Sequence, residues 1–197
     1  MTAMLEAEAA LREMDLIILR HCEKSGDGLC DPLTRKGQAD ALRLARTLEG
    51  QGIDAIFASP YRRSQETIAP FAERAGLEVT VDGRLQEWQI SPTALAAMQD
   101  HAPKMIEDRH YRAPWSETMD EVWTRLVPAL EAIRASGARR PALACHFGVL
   151  SIALTHLADD FGPRHWKLIG QPTAAHVCKG AWRILELPDA APADLPL

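Results

Sequence analysis

The chain has 197 residues, 47% of them apolar, and 22 Lys and Arg against 27 Asp and Glu leave a formal charge of −5. One domain with a well-filled core accommodates that length and composition, which exclude a disordered or collagen-like chain. The mild acidic surplus, with no stripe of Lys and Arg, also lacks the electrostatic footprint of a nucleic-acid binder.

Residues 1–13, rich in Ala, Glu and Leu, predict a short helical extension. They lack the basic start and apolar stretch of a secretory signal. Asp15-Leu16-Ile17-Ile18-Leu19 is a continuous apolar run, the pattern of a strand buried on both faces of a parallel sheet, and it stops abruptly at Arg20-His21-Cys22. Thr34 then precedes a helix over 35–49, with Ala39, Leu42, Ala45 and Leu48 recurring at about the helical period, and Gly50 and Gly52 end it. Residues 53–58 read as a second strand, 64–75 as a second helix and 77–81 as a third strand, a β-α-β-α-β alternation.

From Arg84 to Trp115 the pattern is irregular, punctuated by Trp88, Pro92, Pro103 and Pro114, and this region is expected to cap a site. A helix follows over 118–136, expected to kink at Pro128. Pro141 to Cys145 is a fourth buried strand that ends, like the first, at a histidine, His146, with Phe147-Gly148 and an apolar helix over 149–157 behind it. Residues 174–178 and 182–187, joined across Lys179-Gly180-Ala181, read as a hairpin, and the Pro/Ala-rich 188–197 as a loose tail. The chain thus divides into an extension (1–13), one α/β domain (14–187) built as a three-layer α/β/α sandwich with a mostly parallel central sheet, and a tail (188–197). No segment reaches the ~18 apolar residues of a membrane span, so a cytoplasmic protein with no membrane partner is expected.

The polar groups at the predicted strand ends are Arg20, His21, Arg63, Glu87 and His146. Adjacent parallel strands would bring them to one crevice outside their carboxyl ends. That set suits phosphoryl transfer. An imidazole is nucleophilic near neutral pH, guanidinium forks neutralise phosphoryl oxygens, a second histidine adds a donor, and a carboxyl kept protonated beside Trp88 can protonate a leaving alkoxide.

Arg20-His21 with Glu23, Leu33-Thr34-x-x-Gly37-Gln38-Ala39, Ser59-Pro60-x-x-Arg63-x-x-x-Thr67, Leu85-Gln86-Glu87, Glu117-Thr118 and the late His146 occur in the order and at the separations of the histidine phosphatase superfamily, which the chain resembles over about residues 14–187. The resemblance implies a phosphoglycerate-mutase-like fold and a phosphohistidine mechanism. His21 would attack phosphorus, Arg20, Arg63 and His146 would form the phosphate pocket, and Glu87 would act as proton donor and then activate water. Glu117 matches a position near substrate in many members, and Thr34 and Ser59 look like supporting residues on the loops that flank the pocket. The implied activity is hydrolysis of a small phosphate ester without cofactor or metal. A phosphoglycerate-type mutase is the alternative, although the family's mutases generally carry longer insertions in the middle region.

Two positions depart from the family pattern: Cys22 and Phe147 stand where glycine is usual after each histidine. Either they keep ordinary backbone angles or the loops are shifted, and a non-catalytic phosphate-binding protein is the reading from another class. The cysteines (Cys22, Cys30, Cys145 and Cys178) have no CxxC spacing and read as reduced thiols. Zinc at Cys22 or Cys145 is disfavoured, because adjacent strand residues point to opposite faces. Oxidation of Cys22 blocking the pocket is a further reading. Among the other cations, His110 with Arg109 and Arg112 is best placed for a substrate's charge, and the apolar hairpin near Trp182 could support a homodimer.

Overall fold

The computed structural model describes residues 2–189; residues 190–197 of the tail lie outside the described residues. In chain order its elements are α1 (Thr2–Arg12), β1 (Asp15–Arg20), α2 (Arg35–Leu48), β2 (Ala55–Ala58), α3 (Arg62–Ala75), β3 (Val79–Val81), α4 (Pro92–Ala96), α5 (Met98–Glu107), α6 (Met119–Ala135), β4 (Pro141–Cys145), α7 (Phe147–Leu157), β5 (Thr173–Cys178) and β6 (Ala181–Leu185).

The continuous apolar run of β1 has the consequence expected of it. Leu16 and Ile18 face one core, shared with Val122, Leu126, Leu130, Leu150 and Leu154, while Ile17 and Leu19 face another, shared with Leu44, Leu48, Ile68 and Phe71. Alternate side chains of a strand point to opposite faces, so helices must cover both. α2 and α3 lie on one side and α6 and α7 on the other, which makes three layers.

The strand order is β3-β2-β4-β1-β5-β6. β1 pairs parallel with β4 (Arg20 opposite Cys145), β4 with β2 and β2 with β3. β5 runs antiparallel to β1, with Thr173 opposite Arg20, and β6 closes the hairpin. The carboxyl ends of β1, β2 and β4 and the amino end of β5 therefore share one edge of the sheet. Polar residues just beyond those ends converge there.

Local signals explain the helix boundaries. Thr34 caps α2, its hydroxyl oxygen accepting from Gly37 N at 3.0 Å and its proton going to Glu23 Oε1 at 2.8 Å. Gly37 packs where a Cβ would lie 2.1 Å from Glu23 O, so only glycine permits this approach. Thr118 and Glu121 form a capping box at the start of α6, which runs on through Pro128. Glu8 of α1 accepts from Trp123 Nε1 of α6 at 2.6 Å, and Arg12 Nη1 donates to His156 O of α7 at 2.8 Å, so the first helix is docked on the second layer. Trp182 of the hairpin sets its ring edge-on against Phe161. Among the described residues, no helix is long and apolar enough to cross a membrane.

Candidate active site

His21 follows the last residue of β1 and is buried. Its Nδ1 lies 2.7 Å from Cys22 O, a pure acceptor, so Nδ1 carries the ring proton and donates it there. Nε2 is left with its lone pair and accepts from Arg63 Nε at 3.3 Å. Gln171 Nε2 donates to the same Cys22 carbonyl at 3.0 Å. Cys22 N in turn donates to Thr67 Oγ1 at 2.9 Å. The loop that fixes the tautomer is thus held from α3 and from the amino side of β5. Burial, and then the cations Arg63 and Arg20, press the His21 pKa down to about 3. The ring is neutral and nucleophilic throughout the physiological range.

His146 stands between β4 and α7, fully buried, with its ring centroid 5.2 Å from that of His21. Ser59, at the end of β2, lies 2.8 Å from His146 Nε2, and Ser59 Oγ also receives Tyr61 N at 3.4 Å. With the Ser59 hydroxyl donating to Nε2, the ring proton sits on Nδ1, which is buried without a protein partner. Burial also holds the His146 pKa well below its usual value.

The two guanidiniums are built alike. Arg20 sits 5.1 Å from the centroid of the Phe147 ring, and its Nη1 donates to Ile169 O and Gly170 O. Arg63 sits 4.2 Å from the Tyr61 ring centroid, and its Nη1 donates to Gly28 O at 3.1 Å and Asp27 O at 3.4 Å. Neither is ion-paired among the described residues, and Arg20 Nε is buried without a partner. Desolvation lowers both guanidinium pKa values, yet a guanidinium stays protonated in proteins, so both charges remain available to an anion.

Glu87 Oε1 accepts from Trp88 N at 2.8 Å and Gly148 N at 3.1 Å. No protein donor among the described residues reaches Oε2. Burial raises the pKa of this carboxyl, against the lowering pull of the two backbone donors, Arg63 and Arg20. Gly148 is obligatory for the contact: a Cβ there would lie 2.7 Å from Trp88 Cβ and 2.9 Å from Glu87 Oε1.

The structure therefore brings Arg20, His21, Ser59, Arg63, Glu87 and His146 together. Glu117, expected near substrate, has its carboxylate engaged by Arg125 at 2.8 and 3.0 Å and by Gln89 N at 2.8 Å. It braces the Glu87 loop, whose Trp88 Nε1 donates to Glu117 O at 2.9 Å. Thr34 is spent on the α2 cap. Arg62, the sequence neighbour of Arg63, is exposed and paired with Glu66. Arg109 and His110, the cations expected to be best placed for a substrate's charge, pair with Asp120, and Arg112 pairs with Glu121. Gln171 and Tyr61 are site residues that the sequence reading missed. The Gly170-Gln171-Pro172 turn before a strand was the available signal for Gln171, but only the antiparallel pairing of β5 with β1 brings it to His21.

The departures from glycine resolve simply. Neither Cys22 nor Phe147 adopts a positive φ. The Cys22 side chain is fully buried in the α2/α3 core, and burial pushes its thiol up to about 12. A buried thiol with so little thiolate is a poor oxidation target, which corrects the reading of Cys22 as a redox switch.

Comparison with known proteins matches the geometry. The sequence profile of the histidine phosphatase superfamily (branch 1) covers residues 16–183. A protein named probable phosphoglycerate mutase GpmB, from Yersinia enterocolitica, is 28% identical over 135 residues, 64% of this chain and 63% of the relative. Phosphoserine phosphatase 1 of Hydrogenobacter thermophilus is 28% identical over 134 residues, 60% of this chain and 64% of the relative. The match thus spans less than two thirds of the length of these curated relatives. Among solved structures, the mycobacterial glucosyl-3-phosphoglycerate phosphatase superposes with a TM-score of 0.68 at 22% identity, covering 90% of this chain and 99% of the other. The α-ribazole phosphatase of Shigella flexneri gives 0.66 at 18% identity, covering 90% and 98%. At such identities these two structures speak for the fold. With the profile spanning most of the chain and the six polar groups gathered at the sheet edge, this protein belongs to the histidine phosphatase superfamily, branch 1.

Proposed function

We propose that the protein hydrolyses a small phosphomonoester through a phosphohistidine at His21. The observation that carries this reading is the fixed tautomer of His21: Nδ1–H is committed to Cys22 O, so Nε2 keeps its lone pair and turns it towards the Arg63 guanidinium. A phosphoryl group in this position takes the Arg63 Nε–H, the unpartnered Arg20 Nε–H and the His146 Nδ1–H on its equatorial oxygens. Such preorganised donors act where charge develops in the transition state.

His21 Nε2 attacks phosphorus, the P–O ester bond breaks, and the proton of Glu87 passes to the leaving alkoxide. The Glu87 carboxylate then takes a proton from water as its oxygen attacks the phosphohistidine. The P–N bond breaks, releasing inorganic phosphate and restoring neutral His21 and protonated Glu87. The desolvation that raises the Glu87 pKa suits the first step, and the nearby arginines stabilise the carboxylate needed for the second.

The test is phosphate release from an aryl phosphate by the native chain and by His21→Ala. Release should fall to background in the variant, and native enzyme quenched in alkaline denaturant should carry base-stable, acid-labile phosphorus on His21. Equal rates in the two proteins would sink the proposal. Phosphoryl exchange between alcohols without net phosphate release would mark a mutase instead.

A further inference from the structure

We infer that the leaving group of the substrate is an uncharged alcohol with a planar apolar face, held against a wall formed by Phe147 and Trp166; this rests on the phosphatase reading above. Phe147 is the first residue of α7, next to His146, and its ring covers the Arg20 guanidinium. Trp166 meets that ring edge-on, with centroids 6.0 Å apart and planes at 90°. Trp166 belongs to a short 3₁₀ segment (Pro163–Leu168), and the next two residues, Ile169 and Gly170, supply the carbonyls that hold Arg20. The aromatic wall is therefore continuous with the phosphate pocket. Aromatic rings in this arrangement favour a flat apolar partner.

Charge points the same way. Arg84, Arg109, Arg112 and Arg125 around the cap are ion-paired with Asp82, Asp120, Glu121 and Glu117, and Lys24 is paired with Asp27. A substrate carboxylate would compete with an acidic partner at each of these, while the phosphate itself occupies Arg20 and Arg63. Exposed Arg164 and Lys167 on the Trp166 segment define the competing outcome, a leaving group that carries a carboxylate.

The experiment compares kcat/KM for benzyl phosphate, glycerol phosphate and 3-phosphoglycerate in the native chain, Phe147→Ala, Trp166→Leu and His21→Ala. Benzyl alcohol and glycerol leave as alcohols of similar acidity, so their ratio reads the wall. The native ratio of benzyl to glycerol phosphate should be about tenfold or more and fall towards one in Phe147→Ala. Trp166→Leu, which leaves α7 intact, should lower the same ratio even if Phe147→Ala fails to fold. A native ratio near one, a preference for 3-phosphoglycerate, or equal loss on both esters in Phe147→Ala would overturn the inference while His21-dependent hydrolysis persists. Absence of His21-dependent hydrolysis of all three esters would overturn the phosphatase reading, and the inference with it.

Discussion

Arg20 and Arg63 on the floor of the pocket, and Arg84, Arg109, Arg112 and Arg125 around the cap, carry the same guanidinium into opposite surroundings. On the floor each is held by backbone carbonyls and set over an aromatic ring, with no acidic partner among the described residues. Around the cap each meets a carboxylate. Carbonyls and rings position a cation without cancelling its charge, whereas a carboxylate does both. A chain with a net charge of −5 thereby keeps two uncancelled positive charges at one edge of its sheet, the charges that the proposed reaction assigns to a phosphate ester.

Substitution of Arg63 breaks the contrast most directly. Arg63→Met should lower kcat/KM about 10³-fold, because a fork and a charge are lost at the transferring phosphoryl group. Competitive inhibition by inorganic phosphate should weaken in parallel. Thermal stability should hold or rise, since a desolvated cation is replaced by an apolar side chain, and a large fall in Tm would instead mark Arg63 as structural.

Glu87→Gln removes the proposed proton donor but preserves the backbone contacts to Trp88 and Gly148, and should cost about 10²-fold in kcat for an alkyl ester. Activity of the native enzyme should decline as pH rises through the raised pKa of Glu87, where the acid form is lost. That alkaline limb should vanish in Glu87→Gln. Its survival there would assign the acid to another group.

The floor histidines make a smaller, thermodynamic prediction. His21 has a folded pKa of about 3, below the ~6.5 of an unfolded histidine. Between these values the unfolded state binds more protons. The contribution of His21 to stability is therefore complete above pH ~6.5 and lost as pH falls, by about 1.4 kcal/mol per pH unit at most. His146 acts in the same direction. The raised pKa of Glu87 has the opposite sign, favouring the fold at low pH and losing that contribution as pH rises. Chemical denaturation from pH 7 to about pH 5 should show the decline, and His21→Asn should make it shallower.

The cap side of the comparison predicts almost nothing, and that is its use. Arg109→Ala opens an exposed ion pair with Asp120 and should leave kcat/KM within about twofold. A tenfold loss would return this cation to the substrate site.

Much of this was legible in the residues. The apolar runs of β1 and β4, the helical period of α2 and the abrupt polar stops at His21 and His146 follow from burial on two faces and from side-chain periodicity, which operate over a few residues. They determine the layered α/β class and put two histidines at strand ends, while the roles proposed for His21, the phosphate ligands and Glu87 follow from the resemblance to the histidine phosphatase superfamily. Pairing between distant segments was beyond that reach. Glu117 and Arg112 look like equally available charges in the sequence, and only the packing of α6 against the cap commits both to partners. Gln171 joins the site from 150 positions beyond His21 because β5 runs antiparallel to β1. Phe147 occupies a glycine position of the family pattern without a positive φ, and only the fold sets its ring over Arg20. The sequence by itself determined that Arg20, His21 and His146 reach the sheet edge, because local pattern sets where strands stop. Tertiary structure alone decided which of them stay uncommitted, because hydrogen bonds and ion pairs form between whatever the fold brings within about 3 Å.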